Sequence, residues 1–276
     1  MTEIAGRVAV ITGGASGIGR GIAEELIAQG ASVVISDVER EALQAAAAEI
    51  GAVAVPADVS SLESVEALRD AALERFGRVD IVVNNAGVGP WGEIETLTMD
   101  DWRWVLDVNL YGVIHGVHVF LPVLHANPEG GHIVNTSSMA AFDPQPQLAA
   151  YSVTKFGIAA LTEVLNAEER AKGGKVRATL LAPGMIRTNI NSSTRNRPAG
   201  SSGALHDNTE MEQDGSPALQ ERWMTPREVG GVVARAIRND DEYAITHPDW
   251  WWRAQARFKR IEEAFARYPV WGSEPS

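Results

Sequence analysis

The sequence predicts an α/β fold: a doubly wound, seven-stranded parallel sheet with helices on both faces and one extra helix at the C-terminal end. Three observations carry that expectation. Short β-branched runs alternate with longer alanine-rich stretches patterned for helices, the signature of repeated βα units. The short runs have continuous apolar stretches rather than an apolar residue at every second position, as strands covered on both faces do. A glycine-rich turn follows the first run directly, where such sheets bind their ligands.

The strand-like runs fall at residues 8–12, 32–36, 52–56, 80–83, 132–137, 176–181 and 243–246, and helix-patterned segments separate them. The longest helix is expected over Ala149–Lys172. The stretch 191–217 breaks the alternation, being dense in Ser, Asn, Gly and Pro, and is expected to be a mobile loop within a substrate segment at 189–225. Thr225-Pro-Arg-Glu228 then reads as a helix start, with a hydroxyl cap, an early proline and a glutamate three residues on. A tail over 247–276 holds Trp250-Trp-Trp252 and a final helix ending near Arg267. A chain of 276 residues suits one large α/β domain, and no linker composition interrupts the periodic segments before residue 190.

A formal charge of −12 argues against a nucleic-acid or anionic-membrane partner, because either favours clustered Lys and Arg. A small molecule is the expected partner. The absence of cysteine excludes disulfides, thiol catalysis and cysteine-ligated zinc. Residues 1–6 are short and polar and run straight into the first strand, which predicts a cytoplasmic protein. No uninterrupted apolar run reaches the ~18–20 residues of a bilayer span. His115 and His118 stand three apart, but no carboxylate or cysteine lies at ligand spacing from them, so no metal is expected.

The turn after the first strand reads Thr12-Gly-Gly-Ala-Ser-Gly-Ile-Gly19, with Gly13, Gly17 and Gly19 at the spacing Gly-x-x-x-Gly-x-Gly. Glycines there let the backbone approach a pyrophosphate, whose charge meets free N–H groups and the positive end of the following helix. Ser16 and Ile18 belong to the same turn. Asp37 ends the second strand, where a carboxylate can accept hydrogen bonds from ribose hydroxyls and repel a 2′-phosphate. Neither Ser16 nor Val38 offers a phosphate a cation, so NAD is expected over NADP; Arg40 is the nearest cation that could reach one. The alternative reading of Asp37, a helix or turn cap before Glu39, does not explain the glycines upstream. Asp58 and Val59, after the third strand, are candidates for the adenine pocket.

Tyr151 and Lys155 stand four apart, so on a helix the phenol and the ammonium share a face. A tyrosine of pKa ~10 is a poor base at neutral pH, whereas a fixed cation beside it eases its ionisation. Ser138 lies thirteen residues upstream of Tyr151.

These elements, in this order, resemble the short-chain dehydrogenase/reductase family in its single-domain form. The resemblance runs from about Arg7 to Thr188 and takes in the glycine turn, Asp58-Val59, Asn84-Asn-Ala-Gly87, Asn109, Ser138, Tyr151, Lys155 and Pro183-Gly184. It implies a Rossmann-type fold and a catalytic tetrad of Asn109, Ser138, Tyr151 and Lys155. It further implies that Asn85, Ala86 and Gly87 line the cofactor cleft, that Pro183, Gly184, Ile186 and Thr188 flank the nicotinamide, and that Tyr151 and Lys155 also touch the cofactor. In that scheme Tyr151 exchanges a proton with the substrate oxygen, which Ser138 holds. Lys155 lowers the Tyr151 pKa and bonds the nicotinamide ribose, and Asn109 anchors a water linking Lys155 to solvent, which needs a distortion in the helix around residues 107–110.

Substrate identity is expected to lie with Trp91, Met139, Phe142 and Met185, besides Ser138, since these follow the carboxyl ends of strands. Most are apolar, which predicts a bulky, largely apolar secondary alcohol or ketone. The tryptophans at 250–252 either wall the pocket or dock the last helix on a neighbouring subunit; docking is preferred, in a homodimer or homotetramer. Two other readings remain: an NAD-binding epimerase or lyase relative, and a non-catalytic NAD sensor.

Overall fold

The computed structural model describes residues 2–208 and 223–268. Its centre is a parallel sheet of β1 (Val8–Thr12), β2 (Ser32–Ser36), β3 (Val53–Ala54), β4 (Ile81–Asn84), β5 (Gly131–Thr136), β6 (Val176–Ala182) and β7 (Tyr243–Ile245), in the order β3-β2-β1-β4-β5-β6-β7. Successive strand residues point to opposite faces, and both sets are apolar. Ala9, Ile11, Val33, Ile35, Ile81 and Val83 enter one core cluster, whereas Val10, Val34, Val82 and Ile133 enter the other.

The first cluster is covered by α1 (Gly17–Ala28), α2 (Arg40–Ile50) and α7 (Pro226–Asn239), through Ile22, Leu26, Leu43, Val229, Val233 and Ile237. The second lies under α3 (Leu62–Phe76), α5 (Gly112–Ala126) and α6 (Ala149–Lys172), through Val65, Leu68, Phe120, Leu124, Ile158 and Leu165. Helices α1 and α7 touch at glycine: a Cβ on Gly21 would stand 2.2 Å from the Pro226 carbonyl oxygen. That contact fixes α1, and with it the turn that precedes it.

Helix α4 (Met99–Leu106) runs into α5 through a π-helical turn, Asp107–Tyr111. The combined stretch Met99–Ala126 is long and apolar enough to cross a membrane, but half of its apolar window is buried within the fold. Val113, Phe120 and Leu124, among its buried residues, belong to the second core cluster under the sheet.

Helix α6 has the predicted bounds, and α7 begins with the predicted cap: Thr225 accepts from the Glu228 N–H while Glu228 accepts from that of Thr225. The third strand is shorter than the expected 52–56, because it is an edge paired with β2 alone and Pro56 has no N–H to donate. Strand seven stops before Thr246, whose hydroxyl instead accepts from the Gly184 N–H at 2.9 Å. The final helix, α8, spans Trp251–Ala266.

The loop expected to be mobile over 191–217 is structured in its described part. A 3-10 segment spans Ile190–Asn196, Thr194 is held by Asp207, and the Asp101 carboxylate binds the N–H groups of Ala204 and Leu205 and the Arg197 guanidinium. Residues 209–217 of that loop and 269–276 of the tail lie outside the described residues.

Candidate active site

Strand order reverses between β1 and β4, so the helices that leave these strands depart to opposite faces and a crevice opens at the strands' carboxyl ends. A cavity of about 480 Å³ occupies it. One end is lined by Gly13, Ser16, Gly17, Ile18, Asp37, Asp58 and Val59; the other by Ser138, Tyr151, Lys155, Pro183, Gly184, Ile186 and Thr188, with Asn85, Ala86 and Gly87 between.

The glycine turn is built for close approach. Gly13 has φ +66°, and a Cβ there would stand 2.8 Å from the Ala86 Cα; a Cβ on Gly19 would stand 2.2 Å from the Gly13 carbonyl oxygen. Gly19 lies behind the cavity wall, packing α1 onto the turn. Helices α3, α4 and α7 are capped by the side chains of Ser61, Thr98 and Thr225, whereas α1 has no side-chain cap and no acidic residue in its first turn. Its N-terminal N–H groups therefore face the crevice without a side-chain acceptor, which fits an anionic pyrophosphate.

Asp37 does both things the sequence allows it. Its carboxylate accepts from the N–H groups of Ala15 at 3.2 Å and Glu39 at 3.1 Å, and it also lines the cavity. Burial raises its pKa, and those two hydrogen bonds oppose the rise. Arg40 is exposed and is not part of the wall. Between the two ends, the Thr12 hydroxyl accepts from the N–H groups of Asn85 and Ala86, and the Asn85 amide donates to the Thr12 carbonyl at 3.0 Å. The β4 loop is thereby fastened to the glycine turn.

At the far end, Ser138 caps a 3-10 turn after β5, and Tyr151 and Lys155 project from the first two turns of α6. The Ser138 side chain acts on the Tyr151 phenol and favours its ionisation. The Lys155 ammonium lies 5.2 Å from the Tyr151 ring centroid and donates to the Thr136 carbonyl at 3.1 Å. Burial raises the Tyr151 pKa, with Ser138 opposing, and brings Lys155 down to about 7. The expected lowering of the Tyr151 pKa by Lys155 is not seen in the protein alone: burial sets the direction of the shift for each group.

Asn109 sits in the π-turn, fully buried, and is not a wall residue. Its amide accepts from the Val88 N–H and donates to the Val88 carbonyl, both at 2.8 Å. The helix distortion expected around 107–110 is thus present, and it turns Asn109 toward the β4 loop, with the amide oxygen 3.2 Å from where a Gly87 Cβ would be.

Four residues expected near the substrate do not reach the cavity. Trp91 pairs with His206 through two 2.9 Å backbone bonds and so anchors the later loop. Met139 is buried in its 3-10 turn, the Phe142 ring lies 6.5 Å from the Tyr243 ring, and Met185 is tied through its carbonyl to the Met224 N–H. Position after a strand brings a residue to the crevice but does not say which way its side chain turns. The walls are instead completed by Val88, Trp104, Ile190, Ser193 and Pro198. Ile190 packs on Gly89, whose other neighbour is Tyr151, and Ser193 accepts from the Gly89 N–H at 3.0 Å. The polar composition of 190–198 gave no sign of this; Trp104 stood in an ordinary amphipathic pattern.

Trp250, Trp251 and Trp252 do not wall the cavity. Trp250 lies 5.0 Å from the His247 ring and under the Arg253 guanidinium, and Arg253 pairs with Asp143. Trp251 and Trp252 are 58% and 65% exposed. His118 is exposed and His115 bonds the Val59 carbonyl; among the described residues no cluster could hold a metal ion.

The fold recurs in known proteins. The chain is similar to a short chain dehydrogenase/reductase from Burkholderia phymatum, solved in complex with NAD, with a TM-score of 0.89, 35% identity and full coverage of both chains. An uncharacterised oxidoreductase of Staphylococcus saprophyticus is 35% identical over 69% of this chain and 78% of its own length. The probable oxidoreductase EphD of Mycobacterium tuberculosis is 38% identical over 83% of this chain, which spans only 39% of that relative's length. Residues 7–199 match the family model of the short chain dehydrogenases. With the glycine turn, the Asn85–Gly87 wall and the Ser138, Tyr151 and Lys155 cluster around one crevice, the chain belongs to the short chain dehydrogenase family of oxidoreductases.

Proposed function

We propose that this protein is an NAD-dependent oxidoreductase interconverting a secondary alcohol and a ketone, with Tyr151 as general acid and base. The observation that carries the reading is the meeting of three groups at one end of the crevice: the Tyr151 hydroxyl, the Ser138 side chain that acts on it, and the Lys155 ammonium beside the phenol ring. NAD, when bound, accepts or supplies the hydride. Gly13, Ser16, Gly17 and Ile18 hold its pyrophosphate, Asp37 its ribose, and Asp58 and Val59 its adenine. Asn85, Ala86, Gly87, Pro183, Gly184, Ile186 and Thr188 enclose the rest.

Ser138 holds the substrate oxygen, and Tyr151 gives it a proton in reduction or takes one in oxidation. Burial keeps the phenol protonated at neutral pH, the form that reduction needs. Lys155 favours the phenolate that oxidation needs and bonds the nicotinamide ribose. The Asn109 side chain is engaged by Val88, which leaves backbone carbonyls of the π-turn to hold the water that links Lys155 to solvent.

A bulky, largely apolar substrate is supported by Val88, Trp104, Ile190 and Pro198 in the wall. A homodimer or homotetramer is supported by the exposed aromatic residues of α8. The first test is NADH formation, followed by absorbance, over a panel of cyclic, terpenoid, steroidal and small linear secondary alcohols. Turnover that survives in Tyr151→Phe would overturn the assignment of the acid and base, and faster turnover of small charged hydroxy acids would overturn the substrate class.

A further inference from the structure

Two loops meet across the mouth of the crevice. One is the turn after β2, which carries Asp37 and Glu39; the other is the 3-10 segment Ile190–Asn196 beyond β6. Glu39 Oε1 accepts from Arg195 Nε at 3.1 Å, from Arg195 Nη2 at 2.7 Å and from Asn196 Nδ2 at 2.9 Å, although 156 residues separate Glu39 from Arg195. All three side chains belong to residues of the cavity wall.

An exposed ion pair contributes little by itself, because water screens it and two long side chains must be ordered. Here much of that ordering is supplied locally. Arg195 Nη1 already donates to the carbonyls of Ser192 at 2.7 Å and Asn189 at 3.2 Å, so the guanidinium is aimed at Glu39 by its own loop. The Asn196 amide and the Arg195 guanidinium also hold the Glu39 carboxyl below the usual carboxylate range, so it is charged wherever the protein is folded at neutral pH.

The same loop reaches both ends of the crevice. Ile190 and Ser193 are seated on Gly89 beside Tyr151, and two residues later Arg195 is fastened to the Asp37 end. A dinucleotide lying along the crevice would pass beneath this span.

We propose that Glu39, Arg195 and Asn196 form a clasp that closes over the bound dinucleotide and sets how long it stays. The inference rests on the NAD reading above. Glu39 acts as a positioning residue: it holds Arg195, and through it the loop, without reaching the reacting atoms. Opening the clasp lets the loop lift, so its loss speeds release more than it changes encounter.

The test is the dissociation rate of NADH from the full-length protein, read by stopped-flow fluorescence on displacement with excess NAD. The variants are Glu39→Gln, Arg195→Met and the double variant, each checked for an unchanged circular dichroism spectrum. Each single change is expected to speed release about fivefold or more, with the double variant no faster than the singles. Raising ionic strength should speed release from the wild type and not from Glu39→Gln. Unchanged rates, or effects that multiply in the double variant, would overturn the clasp while leaving NAD binding intact. A wild type that binds no NADH would overturn the clasp and the NAD reading together.

Discussion

The Lys155 ammonium donates to the carbonyl of Thr136 at 3.1 Å while only 3% of the residue is exposed. A cation is therefore stored at the end of β5, and desolvation makes it costly to keep charged there.

Lys155→Met tests that cost. The lysine has a pKa of about 7 in the folded protein against 10.5 unfolded, so between these values the unfolded chain binds more protons and wild-type stability rises with pH. The burden of the charge is full below pH 7 and disappears above 10.5. The melting temperature of Lys155→Met relative to wild type should therefore fall steadily from pH 6 to pH 10, while turnover is lost throughout. A difference that does not change with pH would contradict a buried, titrating lysine.

Asp37→Asn removes the charge and keeps one of the two acceptor oxygens, which take the Ala15 and Glu39 N–H groups separately at Oδ2 and Oδ1. Titration by fluorescence should give a wild type that binds NADH well and NADPH poorly, and a variant in which the ratio narrows about tenfold, or ~1.4 kcal/mol. A ratio unchanged by the substitution would mean that Asp37 does not select the cofactor.

Asp101→Asn should be among the more damaging single changes away from the chemistry. Burial pushes this carboxyl up, but the Thr98 and Ala204 N–H groups and the Arg197 guanidinium outweigh it and bring it down to about 2. A depressed carboxylate stabilises the fold above its unfolded value of 3.8, and that contribution is lost as pH falls through 2. The variant leaves Arg197 facing a neutral amide, and urea unfolding at pH 7 should show a loss of about 3 kcal/mol. The loss should shrink as pH falls below 4. A penalty equal at pH 7 and pH 3 would show that charge is not its source.

Deleting residues 249–276 should leave the fold intact, since Ala254 is the one buried residue of α8, but should lower the mass in solution measured by light scattering. Trp251, Trp252 and Phe265 are otherwise left in water. An unchanged mass would show that the subunits associate elsewhere.

Much of this protein was legible in its sequence. Strands buried on both faces are largely apolar, so Val8–Thr12 announced itself in full and the sixth strand was placed at 176–181, one residue short of its observed end, while α6 showed its full extent through its periodicity. The glycine turn, Asp37, Ser138, Tyr151 and Lys155 were readable because their spacing reflects local constraints: a turn, a strand end, one face of a helix. The tertiary structure alone decided the rest. It left Trp91, Met139, Phe142 and Met185 out of the crevice wall, brought Trp104 and Ile190 into it, and carried Arg195 across to Glu39. Those outcomes depend on the path of loops between distant elements, where the direction of a side chain follows from three-dimensional packing and not from any period along the chain.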